Sequence, residues 1–151
     1  MTDKRDRREE ILVRLLAVCD GIEGIKKAWR NKDEINEHER PCIRFWDGDE
    51  GQNESVTQNG HRGGGGHVYV MTPVVGIALG AAPEKVGSAL NAMRIKVIKA
   101  ITTDSVMLEA CGRNGGIRYL GLNNAIETGR AAEGEMLLQF AIAYPLIPAE
   151  L

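Results

Sequence analysis

The spacing of apolar residues along the chain predicts two amphipathic helices. The first covers residues 3–20, and at about 100° per residue its apolar side chains fall on one face. These side chains are Ile11, Leu12, Leu15, Leu16 and Cys19. The second helix begins near Ala82-Pro83-Glu84, where a proline and an acidic residue suit a first turn. Its apolar stripe consists of Val86, Leu90, Met93, Val97 and Ile101.

Four segments have the composition of β-strands. Residues 41–46 alternate around two apolar side chains, and residues 67–79 are rich in β-branched residues. Pro73 limits how much of the second segment can form a central strand. The other two strands cover residues 117–122 and 136–144. The last has apolar or small residues on both faces, which is typical of a central strand covered on both sides.

The connections between these elements are strongly polar. Residues 26–40 predict a solvated connector with Trp29 as its aromatic anchor. Residues 47–50 form an acidic turn, and residues 51–66 contain a single aliphatic side chain. A structureless stretch of that length is uncommon inside a compact domain, so we expect a long flexible loop there.

The order of the elements predicts the fold class. Thr103 or Asp104 caps a short third helix that ends at Gly112. Helices and strands do not alternate regularly, which favours an α+β fold over a doubly wound sheet. We therefore expect a mixed, mainly antiparallel sheet with two main helices packed on it, in a single domain of residues 1–151.

Composition narrows the classes of function. The 151 residues include 19 basic and 21 acidic side chains, a net charge of −2, whereas a dedicated nucleic-acid binder usually has a strong basic excess. No apolar run approaches the roughly 18 residues of a membrane span, and we expect no secretory leader and synthesis in the cytoplasm. The three cysteines lack metal-ligand spacing, so we expect buried structural thiols.

The segment NGHRGGGGHVYV, residues 59–70, is the first candidate for chemistry. A phosphate-binding loop needs a lysine and a hydroxyl residue after its glycines and a helix that follows, whereas these glycines lead into a strand. His61 and His67 lack a third ligand at a recognisable spacing. The sequence therefore predicts neither a nucleotide site nor a metal site there.

Two charged clusters have an ordinary and a functional interpretation. The acidic turn lacks the calcium-loop pattern, so it is a solvated turn, or else an interface contact or ion site. The lysines of the second helix form a solvated face, or else a contact with an acidic partner. Gly87-Ser88-Ala89 lies inside a helix and is no nucleophile elbow. We expect no catalytic, cofactor-binding or metal-binding residues. The clusters are Asp47, Asp49 and Glu50, and Lys85, Lys96 and Lys99.

Taken in order, these elements resemble the tail terminator (tail-completion or minor tail) proteins of long-tailed bacteriophages. The segments that carry the resemblance are RREEILVRLLAVCDGI, ERPCIRFWDGDE, VYVMTPVVGIAL, VGSALNAMRIKVIKAI followed by TTDSVML, GGIRYLGL and EGEMLLQFAIAYPL. They span almost the whole chain after residue 5, apart from residues 26–40 and 51–66. The match lies in the order of the elements and in the general character of their sequences, and the family has no sharp sequence motif.

The resemblance implies a structural protein of the virion, assembled in the host cytoplasm. Such proteins form a ring, typically a hexamer, that caps the tail tube, stops its polymerisation and joins the tail to the head-neck proteins. The implied partners are further copies of the chain, the tube protein, a head-completion protein and, in a contractile tail, the sheath protein. DNA is only passing cargo, and no membrane, cofactor or catalysis belongs to this role. We expect interface contacts from Arg44, Trp46, Asp47, Asp49, Glu50, His61, Arg62, His67, Lys85, Lys96 and Lys99.

Two alternatives remain open from the sequence. One is a head-completion or neck adaptor protein of the same assembly. The other is a small α+β enzyme or ligand-binding domain, which would need a pocket that converges on Cys111, His67 or Asp104.

Overall fold

The sheet and its helices are described by a computed structural model over residues 4–52, 67–80, 84–122 and 134–151. In these residues three helices accompany a mixed, mostly antiparallel sheet of seven strands, which confirms the α+β class. The helices are α1 (Arg7–Asp20), α2 (Val86–Thr102) and α3 (Ser105–Cys111). The strands are β1 (Lys27–Arg30), β2 (Cys42–Trp46), β3 (Glu50–Gln52), β4 (His67–Met71), β5 (Val74–Ala78), β6 (Gly116–Leu122) and β7 (Glu135–Leu146). Short 3₁₀ turns lie at Glu37–Glu39 and Pro148–Glu150.

The helices begin where capping residues satisfy their first backbone amides. The Asp6 carboxylate accepts the Glu9 amide at 3.2 Å at the start of α1. The Asp104 carboxylate accepts the Met107 amide at 3.0 Å at the start of α3, so Asp104 is the cap of the short third helix. Every residue of the predicted α2 stripe is buried, which confirms that helix as an amphipathic one.

Strand β7 is the centre of the sheet, as its composition predicts. It pairs along one edge with β4 and β5 and along the other with β6. The register is the same on both sides of Pro73, because Met71 faces Ile142 and Val74 faces Gln139. Strands β4 and β5 are therefore two parts of one strand position in the sheet. The interruption lies at Pro73, which has no backbone N–H to donate.

Strands β2 and β3 lie beside β5 and β4, and their register shifts by one residue between the two pairs. β2 pairs with β5, and β3 pairs with β4. Between them Gly48 has a φ of 76°, and a Cβ at this position would lie 2.0 Å from the Thr72 carbonyl oxygen. This close approach allows the two interruptions, at residues 47–49 and 72–73, to lie side by side. Strand β1 runs parallel to β2 and ends the sheet on that side.

All three helices contribute to one core on a single face of the sheet. Side chains that share this face across the strands include Phe45, Val75 and Leu138, which stand opposite one another in register and are fully buried. The α1 face adds Leu12 and Leu15, both without exposed surface. Burial of this apolar area is the main contribution to folding.

Residues 26–40 are not a purely solvated connector, because they contain β1. The strand is four residues long and buries Ala28, whereas Trp29 is only half-buried. The Lys27 and Lys32 ammonium groups lie 5.6 and 4.1 Å from the centroid of the Trp29 ring, and the anchoring role of Trp29 stays a prediction. Since a short edge strand with one buried side chain shows no alternation, the pattern of the sequence did not reveal it.

The predicted loop 51–66 begins two residues too early. Gly51 and Gln52 belong to β3, whose side chains are exposed but whose backbone pairs with Val70 and Tyr69. The rest of the predicted flexible loop, and the Ala82-Pro83 start of the second helix, lie outside the described residues.

We predict that Gly48→Ala destabilises the protein by at least about 2 kcal/mol, because it combines a strained positive φ with a clash against backbone. Gly51→Ala is the matched control, since a Cβ there meets nothing within 4 Å. Urea unfolding of the two variants measures the difference. Equal midpoints for both variants would contradict the described junction.

Candidate assembly surfaces

Arg44 is a buried residue in the isolated chain. Its side chain is on the face of the sheet away from the helices and the residue is 7% exposed. The guanidinium donates to the carbonyl oxygens of Lys32, at 3.3 Å, and Asp33. It also lies 3.9 Å from the Glu135 carboxylate and 5.0 Å over the Trp46 ring. Arg44 thus holds the loop that follows β1 against the sheet, and its predicted interface role stays a prediction.

The acidic turn is only partly solvated. Asp47 is half-buried and accepts two bonds from Arg30, at 2.9 and 2.8 Å. The same guanidinium reaches Glu9 of α1 at 2.8 Å, and Arg30 holds the pKa of both carboxyls below the usual range. Glu50 accepts from the Tyr144 hydroxyl and pairs with Arg8 at 3.3 Å. Asp49 and Glu50 are the exposed residues among the three carboxylates of this turn.

Among the described residues, His67 and the three lysine candidates belong to different elements. His67 is the exposed first residue of β4, opposite Leu146. His61 and Arg62 lie outside the described residues. Lys85 precedes α2 and is exposed, about 16 Å along the helix axis from Lys96 at 1.5 Å per residue.

Lys96 and Lys99 line a groove of about 600 Å³ between α1 and α2. Its apolar floor contains Val18, Ile22 and Ala100. At one end Arg14 makes a two-pronged ion pair with Asp104, at 3.0 and 2.8 Å. The Arg14 bond is the chief reason that the pKa of Asp104 is lowered.

A second cavity, of about 440 Å³, lies on the opposite face of the sheet. Its floor consists of Val70, Ala141 and Ala143, and the first part of β6, including Arg118, forms its side. Of the three residues named for an enzyme or ligand-binding pocket, Asp104 lines the groove, whereas His67 and Cys111 line neither of these two cavities.

Strand β6 is an open edge of the sheet. Over the described residues it pairs with β7 alone. Leu120 and Leu122 are 46% and 37% exposed. The composition of GIRYLGL predicted the strand, but the exposed leucines were missed as candidate contacts because the sequence did not place β6 at an edge.

The three cysteines are all buried, as expected. Burial raises the pKa of the Cys19 thiol to about 12 and that of Cys111 to about 11. Both thiols are therefore protonated and unreactive at neutral pH. In the described ranges no group of His, Cys, Asp and Glu could hold a metal ion, and none of the helices has the length and apolar character of a membrane span.

We predict that Asp104→Asn lowers the free energy of unfolding at neutral pH. The difference in this free energy between the variant and the wild type becomes smaller at acidic pH. Asparagine keeps the helix cap, so the variant removes the charge that pairs with Arg14. Since the folded pKa of Asp104 is lowered, its contribution is present above the unfolded pKa and is lost as the pH falls through the folded value. Urea unfolding from pH 7 to pH 2 measures this. A difference that does not change with pH would contradict the ion pair.

Comparison with known proteins assigns no family to the chain. No protein-family model matches it, and no curated protein matches it significantly. The function of the surfaces described above is therefore argued from their geometry and from the order of the elements.

Proposed function

We propose that this protein is a tail terminator of a long-tailed bacteriophage, a ring-forming virion protein that caps the tail tube and joins the tail to the head-neck proteins. The proposal begins from the resemblance in element order. The segments that carry the resemblance contain α1, β2, β4, β5, α2, α3, β6 and β7 in the described structure.

The observation that carries the proposal is the open edge at β6. This strand is seven residues long, and the part of the chain described here leaves its outer backbone groups unpaired by any strand. Monomeric proteins commonly protect such an edge with short strands, charges or proline. Strand β6 has one exposed charge, Arg118, and a bulge between Tyr119 and Gly121, and it also presents Leu120 and Leu122 to the surroundings. An edge of this kind favours a contact with another chain.

The opposite edge of the sheet, which consists of β1 and β3 in the described residues, has a different character. Strand β1 is four residues long and begins and ends with the charged residues Lys27 and Arg30. The two edges are thus unlike, which favours contacts between different surfaces of neighbouring copies. Such heterologous contacts close into a ring when the rotation between copies permits it.

The cavity beside β6 adds shape to this surface. Its floor of small and β-branched side chains, Val70, Ala141 and Ala143, leaves room for a side chain of a neighbour. Arg118 at its side is exposed and supplies a charge. The edge and the cavity together can bind a partner through backbone bonds, apolar contact and one cation.

The test combines solution mass with a tube-capping assay. We expect the purified chain to form a closed oligomer, alone or on purified tail tubes, and to prevent further addition of tube subunits. Analytical ultracentrifugation and electron microscopy measure these two properties. A strict monomer or a simple dimer that leaves tubes uncapped would overturn the proposal. Binding to head-neck proteins without any capping would favour an adaptor role instead.

We predict that Leu120→Glu combined with Leu122→Glu weakens self-association at least about tenfold, because carboxylates at this edge would lose the apolar contact and be desolvated. Val13→Glu is the control, since Val13 is 55% exposed on α1 and far from the edge in sequence and fold. Circular dichroism checks that both proteins fold. Equal association constants for the two variants would show that β6 does not lie in the interface.

A further inference from the structure

The groove between α1 and α2 is a basic surface with an apolar floor. Lys96 and Lys99 are three residues apart on α2 and therefore share one helix face. Both are exposed, and neither makes an ion pair with any residue that the structure describes. Arg14 and Asp104 neutralise each other at the end of the groove, and Glu23 is the remaining carboxylate of the lining. The lysine pair therefore gives the groove a positive charge.

An acidic loop of the same chain has the complementary composition. Residues 33–37, with the sequence DEINE, join β1 to the 3₁₀ turn. Glu34 and Glu37 are exposed, make no ion pair with the described residues and are also three residues apart. Ile35 lies between them and is half-buried. An apolar side chain between two carboxylates matches an apolar floor beside two ammonium groups.

The loop is attached to the rest of the chain by hydrogen bonds. Arg44 donates to the carbonyl oxygens of Lys32 and Asp33 at its start. The Glu39 carboxylate accepts from the Asn36 amide at 2.8 Å and from the Lys32 ammonium at 2.9 Å. A loop already ordered in the free protein loses little conformational entropy on docking.

The two surfaces lie on different sides of the sheet in one chain. Arg44 lies on the face of the sheet away from the helices, because its neighbours Ile43 and Phe45 belong to the helix-side core. The loop that it holds is therefore tied to the far face, while the groove lies among the helices. Because no ion pair joins the two surfaces in the described chain, we look for their contact between two copies.

We propose that the α1–α2 groove, through Lys96 and Lys99, receives the acidic loop of residues 33–37 from a second copy of this chain. This contact is heterologous, since a groove on one copy binds a different surface of the next, and it rests on the proposed ring. It assigns a recognition role to two of the three predicted lysines and gives Arg44 the role of a positioning residue for the loop.

A charge-exchange experiment tests the contact. Lys96→Glu with Lys99→Glu, or Glu34→Lys with Glu37→Lys, should each weaken self-association at least about tenfold, because like charges then face each other. Mixing the two reversed proteins should restore association between them, and about 0.5 M salt should weaken the wild-type contact by screening. Analytical ultracentrifugation measures the masses. Lys4→Glu with Arg113→Glu, two exposed cations outside the groove, is the matched control.

The outcomes separate this inference from the proposed function. A wild-type ring that keeps its mass after both reversals overturns the contact and leaves the ring proposal standing. A wild-type chain that is always monomeric overturns both. Reversals that abolish tube capping but leave the ring intact would assign the groove to the tube protein and overturn the second-copy contact. If a reversed variant does not fold, Lys96→Gln with Lys99→Gln takes its place, and association equal to the wild type overturns the contact.

Discussion

The pairing of β7 along both of its edges is the interaction on which the rest of the structure depends. Its twelve residues pair with β4 and β5 along one edge and with β6 along the other, so three other strands form backbone hydrogen bonds with it. Alternate side chains, among them Leu138, Phe140 and Tyr144, enter the core under the helices. A buried backbone group without a partner costs about as much free energy as a lost hydrogen bond. The strand order supplies these partners for the strands that also bury the core side chains, so the strand order and the core are fixed together.

On the face of the sheet away from the helices, the buried guanidinium of Arg44 determines the packing of the adjoining loop. Burying a guanidinium is costly unless hydrogen bonds and a counter-charge replace water. Arg44 obtains these from two carbonyl oxygens of the loop after β1 and from the Glu135 carboxylate. The conformation of that loop is therefore set by the need to satisfy Arg44, which explains how a polar, charged segment remains ordered at the surface.

Periodicity predicted the elements that bury a whole face. The α2 stripe, the Asp104 cap and the central position of β7 were predictable because each leaves a repeated or chemically specific signal. Strand β1 was not, because it buries only Ala28, and β3 was not, because none of its side chains is buried. Among the surface residues, the lysines of the second helix were predictable from the sequence because their spacing places them on one side of that helix. The cavity beside β6 depends on strand order, which sequence alone did not supply.

The same sheet geometry explains why the two ends of the molecule differ. A sheet that is not closed always has two edges, and proteins protect those that must not pair. In the described structure β1 is short and ends in charges, whereas β6 is longer, carries exposed leucines and borders a cavity. If both edges were merely solvent-exposed, selection against aggregation would act on both alike. The exposed leucines and the cavity support the proposed neighbour at β6, and a contact between unlike surfaces is what the proposed ring requires.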